Sequence, residues 1–191
     1  MHTITNVIRQ RRSIFPNTYT TQPIPQSVLE EILENANWAP NHRHTEPWRF
    51  KVFQSLEARE NLGNYLADCY KRRTPETDFK PKKHEKMRRK PVQAACVIAI
   101  CMQRDPEERV PEWEEVAAVS CAVQNMWLTC TAHRIGAYWS SPSTITRRAA
   151  VELLGLAEGE QCWGLLYMGY HNLPDNLPAK RGEIADKTTW L

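Results

Sequence analysis

Apolar residues in this chain recur at two periods, and the places where the period changes mark its elements. Ile4, Val7 and Ile8 fall at helical spacing and predict a first helix ending near Ser13. Pro16, Pro23 and Pro25 then interrupt regular structure. Ser27-x-x-Glu30 reads as a capping box for a second helix, with Leu29, Ile32, Leu33 and Ala36 on one face and Pro40 as its stop. At Trp48, Phe50 and Val52 the period drops to two, alternating with Arg49 and Lys51 as in a strand with one buried face. A third helix is expected from Ser55 to Lys71, with Leu62, Tyr65, Leu66 and Cys69 inward.

The second half is more apolar. Ala94 to Met102 is apolar on both faces and β-branched in its middle, so it reads as a central strand. Trp113 to His133 is apolar nearly all round after Glu115, which predicts a helix in the middle of the molecule, ended by Gly136. A short strand over Ala137–Ser140, a helix from Thr146 to Leu154 closed by Gly155, and a buried strand over Cys162–Tyr167 follow. Between these elements the basic stretch 71–91 reads as a mobile excursion with one short helix, and residues 170–191 as an extended tail. Elements mixed without regular alternation or repeat predict one α+β domain over residues 1–191.

Composition narrows the class. A chain of 191 residues with 41% apolar content and 7 Trp can bury a sizeable core. The longest apolar run, Ala94–Met102, is too short to span a bilayer, and no secretory leader pattern opens the chain. A net charge of +3 does not by itself argue for a polyanionic partner. Of 6 Cys, Cys96, Cys101, Cys121, Cys130 and Cys162 sit among apolar residues and no Cys-x-x-Cys occurs, which predicts reduced thiols and a cytoplasmic protein.

Four constellations carry candidate chemistry. Arg11-Arg12-Ser13 offers two guanidinium groups and a hydroxyl at a helix end, able to grip a phosphate; a solvated helix terminus is the plainer alternative. The polar loop Asn41–Trp48 holds His42, His44 and Glu46, with Trp38 just before it. Those histidines are ordinary loop residues or a weak His-x-His pair, and without further ligands at usable spacing no metal site is expected. Gly136–Ser141 carries Tyr138, Trp139 and Ser140, either a pocket wall or an aromatic core strand. Lys180-Arg181 stands in the tail. Gly-x-Gly-x-x-Gly, Gly-x-x-x-x-Gly-Lys and Gly-x-Ser-x-Gly are all absent, so Rossmann, P-loop and serine-hydrolase chemistry lack support.

Taken together, Arg11-x-Ser13, Ala39-Pro40, Pro47-Trp48, the Tyr138–Ser140 segment and Arg181 resemble the flavin-dependent nitroreductase family, in particular its short-chain members, from about Thr3 to Arg181. The resemblance implies a central mixed or antiparallel sheet flanked by helices, bound FMN, and a homodimer with flavin at the interface. It assigns the flavin phosphate to Arg11, Arg12, Ser13 and Arg181, and the flavin surroundings to Trp38, His42, His44, Glu46, Tyr138, Trp139 and Ser140. His42 matches a histidine that reaches across from the second subunit. His44 stands where Asn is usual, Glu46 where Gln is usual, and Trp139 where short-chain members carry Arg. Glu46 either lowers the flavin potential by its charge or supports the loop as an acceptor, and the second is favoured. The implied activity is NAD(P)H-dependent reduction of a nitroaromatic, quinone or related acceptor by a ping-pong mechanism, with the cofactor rather than a side chain carrying the chemistry. The alternatives are a non-catalytic flavin-binding or flavin-handling protein and a nucleic-acid-binding module. The latter rests on the basic run Lys80–Lys90, which has only Phe79 to stack on bases, so no nucleic-acid or membrane partner is expected.

Overall fold

In a computed structural model, which describes residues 3–174 and 177–191, the chain forms a four-stranded sheet with helices on both faces. The strands are β1 (Trp48–Phe53), β2 (Cys96–Gln103), β3 (Ile135–Ser140) and β4 (Glu160–Tyr170). Their order is β1-β2-β4-β3, and every pairing is antiparallel. The helices are α1 (Ile4–Gln10), α2 (Gln26–Asn37), α3 (Leu56–Arg73), α4 (Pro81–Val92), α5 (Glu112–Ala132) and the short α6 (Val151–Leu154). The α+β expectation holds.

β2 is apolar on both faces because both are covered. Cys96, Ile98, Ile100 and Met102 pack with α2 and α5, while Val97, Ala99 and Cys101 pack with α3 and the α6 region. The first cluster includes Leu29, Ile32 and Ala36 of α2 and Ala122, Val123 and Met126 of α5; each large aliphatic group buried there is worth roughly 1.5–3 kcal/mol. β1 is an edge strand, and its alternation fades towards its end, where Val52 is exposed.

Several boundaries move for physical reasons. α2 begins at Gln26 with Pro25 as its cap, so Ser27 lies inside the first turn and the capping box is not made. α3 does start at Ser55, whose hydroxyl accepts from the Ala58 N–H at 3.1 Å. α5 ends at Ala132, and Arg134 rather than Gly136 takes the left-handed position, leaving Gly136 inside β3. Gly155 caps α6 in the left-handed conformation as expected, although α6 is shorter than Thr146–Leu154.

The basic stretch 71–91 corrects the expectation of a short helix. It holds the end of α3, a 3-10 turn at Glu76–Asp78, and the twelve-residue α4 laid against α3. Their approach is so close that a Cβ on Gly63 would stand 2.2 Å from the Arg88 carbonyl oxygen. Periodicity is a poor guide here because Pro81, the lysines and the arginines dominate the composition while few apolar groups are needed. At the C-terminal end, β4 extends to Tyr170, and residues 178–191 are exposed.

Candidate functional site

α1 ends at Gln10, and the Arg11 N–H closes it by donating to the Val7 carbonyl at 3.0 Å. The Arg11 guanidinium lies over the Trp127 ring of α5, 4.6 Å from its centroid. Its pKa is pushed below the ordinary arginine value by burial, then by Arg181, then by Arg12. Arg181, from the far end of the chain, is thus near enough for its charge to act on Arg11. None of the ion pairs among the described residues includes Arg11, Arg12 or Arg181. Like charges that act on one another without a carboxylate repel, and a bound anion would relieve that repulsion.

Within this cluster the roles divide. Arg12 is a tether: Nη1 donates to the Arg9 and Arg11 carbonyls at 2.6 and 2.8 Å, and Nη2 to Leu177 at 3.2 Å, fastening the tail. Its buried Nε has no partner. Arg11 keeps its guanidinium free of such bonds, and Ser13 is exposed beside it. Ser13 bridges to Ala137, and the Ile14 N–H donates to Ala137 at 3.0 Å, so this segment runs along the outer edge of β3. Tyr19 pins the same segment, its hydroxyl shared between the Ile14 and Tyr167 carbonyls at 2.6 and 3.1 Å.

β3 brings Tyr138, Trp139 and Ser140 to that edge, but strand geometry divides them. Trp139 packs with the α2–α5 cluster, whereas Tyr138 packs with the α3 side, as does Ser140 beside Leu66 and Tyr167. The three side chains do not form one wall. The Trp139 indole N–H is buried without a partner. Tyr138 meets Phe15, ring centroids 4.6 Å apart, a contact the sequence reading missed although Phe15 stands two residues after Ser13.

The loop residues lie elsewhere. His42 Nδ1 is 2.6 Å from Glu114 Oε2, which ties the loop to the start of α5. Trp127, under Arg11, lies about thirteen residues further along α5, or roughly 20 Å at 1.5 Å per residue. His42 and Arg11 of one chain are thus at opposite ends of the central helix. Asn41 Oδ1 accepts from the Glu46 N–H at 3.1 Å, while Arg43, His44 and Glu46 all take left-handed backbone conformations. Such strain costs of order 1 kcal/mol per residue and concentrates at functional loops. His44 and Glu46 are exposed, and so is Trp38, at 79%, its indole donating to Glu34 at 2.9 Å.

Among the described residues no group of His, Cys, Asp and Glu is clustered for a metal ion, and no helix is long and apolar enough to cross a membrane. The cysteines are unpaired thiols, and burial pushes Cys96 up to about 12.

Residues 8–170 match the model of the nitroreductase family. The chain belongs to the nitroreductase family. Among curated relatives, it is 32% identical to YfhC of Bacillus subtilis (strain 168), whose name assigns it provisionally to the NAD(P)H nitroreductases; the match covers 96% of this chain and 92% of that protein. Among solved structures, a nitroreductase-like family protein from Bacillus cereus superposes with a TM-score of 0.81 at 27% identity, covering 100% of this chain and 97% of that one. A Desulfovibrio desulfuricans structure described as a complex with FMN shares the fold, with TM-score 0.74 at 24% identity over 100% of this chain and 98% of that one. In this nitroreductase, the arginine cluster lies at one end of α5 and the histidine loop at the other.

Proposed function

We propose that this nitroreductase is an FMN-dependent oxidoreductase that uses NAD(P)H to reduce a nitroaromatic, quinone or related acceptor by a ping-pong mechanism. The observation that carries the reading is that the charge of Arg181, from the far end of the chain, acts on Arg11, with no ion pair to either among the described residues. That arrangement fits a phosphate, which supplies the missing negative charge and accepts from guanidinium forks. Family membership and the FMN described in the Desulfovibrio structure add to it. FMN, when bound, supplies the redox chemistry between NAD(P)H and the acceptor, each visiting one site in turn.

The chain's own residues bind and orient. Arg11, Ser13 and Arg181 hold the phosphate, while Arg12 keeps the tail in place so that Arg181 stays near. The Tyr138–Ser140 backbone borders the ring. Arginine rather than lysine suits the phosphate, because a guanidinium keeps its charge at any working pH.

The same reading includes a homodimer in which the partner subunit's His42, with Trp38, His44 and Glu46 of that loop, closes the site. The separation of His42 from Arg11 along α5 supports it. So do exposed apolar groups on α1, on α5 and in the tail: Ile4 at 66%, Trp113 at 69% and Trp190 at 93%. An isologous interface of this kind should exceed roughly 2,000 Å².

The test begins with purified protein. The expected result is a yellow protein with one FMN per chain, sedimenting as a dimer, and parallel double-reciprocal lines with NAD(P)H and a nitroaromatic. Deleting the chain from Asn172 onward should cost both dimer and flavin. A colourless protein that takes up no added FMN would overturn the reading. Bound flavin without NAD(P)H oxidation would instead make the chain a flavin-handling protein.

A further inference from the structure

On the α3 side of the sheet, β2 and β4 set two thiols opposite one another. Cys101 and Cys162 are register partners, and both belong to the cluster formed with Leu62 and Leu66 of α3. The hydrogen bonds around them fix the kind of pair they make. The Cys162 N–H donates to the Arg147 carbonyl at 2.8 Å, and the Cys162 carbonyl accepts from the Arg147 N–H at 2.6 Å, so this backbone is engaged on the side away from β2. On β2 the Gln103 N–H donates to the Pro47 carbonyl at 2.8 Å, towards β1, and Cys101, two residues earlier, turns its backbone the same way. A pair whose backbone groups both turn outward is the non-hydrogen-bonded kind, with Cα atoms about 4.5 Å apart and side chains at their closest. A disulfide bridges Cα separations of roughly 4.4–6.8 Å.

A second observation brings the sulfurs together. Cys101 offers its thiol proton to Cys162, and that contact lowers the Cys162 thiol below its ordinary value while raising that of Cys101. The Gly164 N–H adds to the effect by donating to Cys162 Sγ at 3.4 Å. Cys162 is therefore the better nucleophile of the two, and Cys101 is placed to resolve it. Other buried thiols have different neighbours. Cys130 Sγ meets the Met168 sulfur at 3.5 Å, and Cys69 accepts from Arg72 at 3.1 Å.

We propose that Cys101 and Cys162 form a reversible cross-strand disulfide when the protein meets hydrogen peroxide. The Cys162 sulfur attacks one peroxide oxygen, the O–O bond breaks, and the departing hydroxide takes the thiol proton and leaves as water. The Cys101 sulfur then attacks the resulting sulfenic acid, the S–O bond breaks, and the S–S bond forms as a second water leaves. In all, two thiols lose two protons and two electrons, and one peroxide becomes two waters. Both cysteines are 0% exposed, so peroxide reaches them through local opening of the strands, and the reaction is slow but confined to this pair. The bond acts as a clamp. Gly164, two residues after Cys162, lies so close to the end of β3 that a Cβ there would stand 2.6 Å from the Ser140 carbonyl oxygen. Oxidation fastens β2 to β4 where β4 braces the Tyr138–Ser140 strand. The inference goes beyond the proposed function, because the bond requires neither FMN nor a nicotinamide donor.

The experiment holds the full-length protein, as purified and without NAD(P)H, in excess hydrogen peroxide. Remaining thiols are then blocked in denaturant, and the peptides are mapped by mass spectrometry without reduction. The expected product is a Cys101–Cys162 linked peptide in most chains, lost on treatment with dithiothreitol and still formed in Cys96→Ala. Cys101→Ala should instead carry Cys162 onward to the sulfinic acid, since its resolving thiol is gone. The thermal midpoint of the wild type should rise on oxidation and return on reduction, because a bond that fits the folded pair chiefly constrains the unfolded chain. Recovery of both cysteines as free thiols would overturn the proposal. So would wild-type Cys162 ending as sulfinic acid, a disulfide from either cysteine to another partner, or a midpoint lowered by oxidation. If Cys101→Ala does not fold, the wild-type peptide map alone decides.

Discussion

The two clusters of positive charge in this nitroreductase are built in contrasting ways. At the arginine cluster, the neighbours Arg11 and Arg12 feel the charge of Arg181 from the far end of the chain or hold its tail, Arg12 through backbone carbonyls, while Arg11 rests on Trp127. On α4, Lys82, Lys86 and Lys90 come from consecutive turns of one helix, and Lys90 is enclosed by the Tyr138 and Tyr167 rings. Guanidinium groups cannot relieve their repulsion by losing protons, so a bound anion is what would relieve the first cluster. Lys90, pressed to about 8 by burial and then by Lys86, lies nearer to losing its charge.

A third kind of cation sets the scale. Arg104 is matched to the buried carboxylate of Glu115, which also accepts from the Asp105 N–H at 3.0 Å. Glu115→Ala should therefore destabilise the fold by about 3–5 kcal/mol, since it strands a partly buried guanidinium. Denaturant unfolding checks this. A loss below 1 kcal/mol would mean that pairing does not distinguish this cation from those in the two clusters.

Next in size, Arg11→Ala should weaken FMN binding by about 1.5–3 kcal/mol, the worth of its charged hydrogen bonds, as read by flavin fluorescence titration. Unchanged affinity would place the phosphate elsewhere. Arg11→Lys should retain only part of the affinity, because a point charge cannot engage two oxygens at once.

The contrast predicts the opposite sign for Lys90→Met, a gain in stability of about 1 kcal/mol after allowance for solvent screening of a group that is not fully buried. The sign follows from linkage. Burial and Lys86 press the Lys90 pKa to about 8 in the folded chain, against the ordinary lysine value of 10.5 when free, so between these pH values the unfolded chain binds more protons. Wild-type stability should accordingly rise with pH from about 8 to 10.5, and the variant should lack that component. The groups facing Lys90 are Lys86 and the Tyr138 and Tyr167 rings, and burial raises the Tyr167 hydroxyl above its ordinary value, so it stays neutral across this window. Identical pH profiles for the two proteins would refute the assignment.

Much of the fold was legible because it depends on short-range pattern. The two-sided apolar run at β2, the all-round apolar α5 and the Gly155 cap follow from periodicity and local backbone sterics. The candidate phosphate residues were expected from the resemblance to the family's motif, not from periodicity. Less local features were not legible. The capping box failed because Pro25 had already set the helix start, and α4 was undervalued because its stability comes from docking on α3 at Gly63. The sequence by itself determined the α+β class, the central elements and which residues carry charge. Only the tertiary structure decided which charges meet: Arg181 with Arg11, Lys90 between two tyrosines, His42 at the far end of α5, and Trp139 on the opposite face from Tyr138. The reason is physical. Spacing along the chain sets direction within one element, whereas electrostatic and aromatic partners depend on distances between elements, which packing sets.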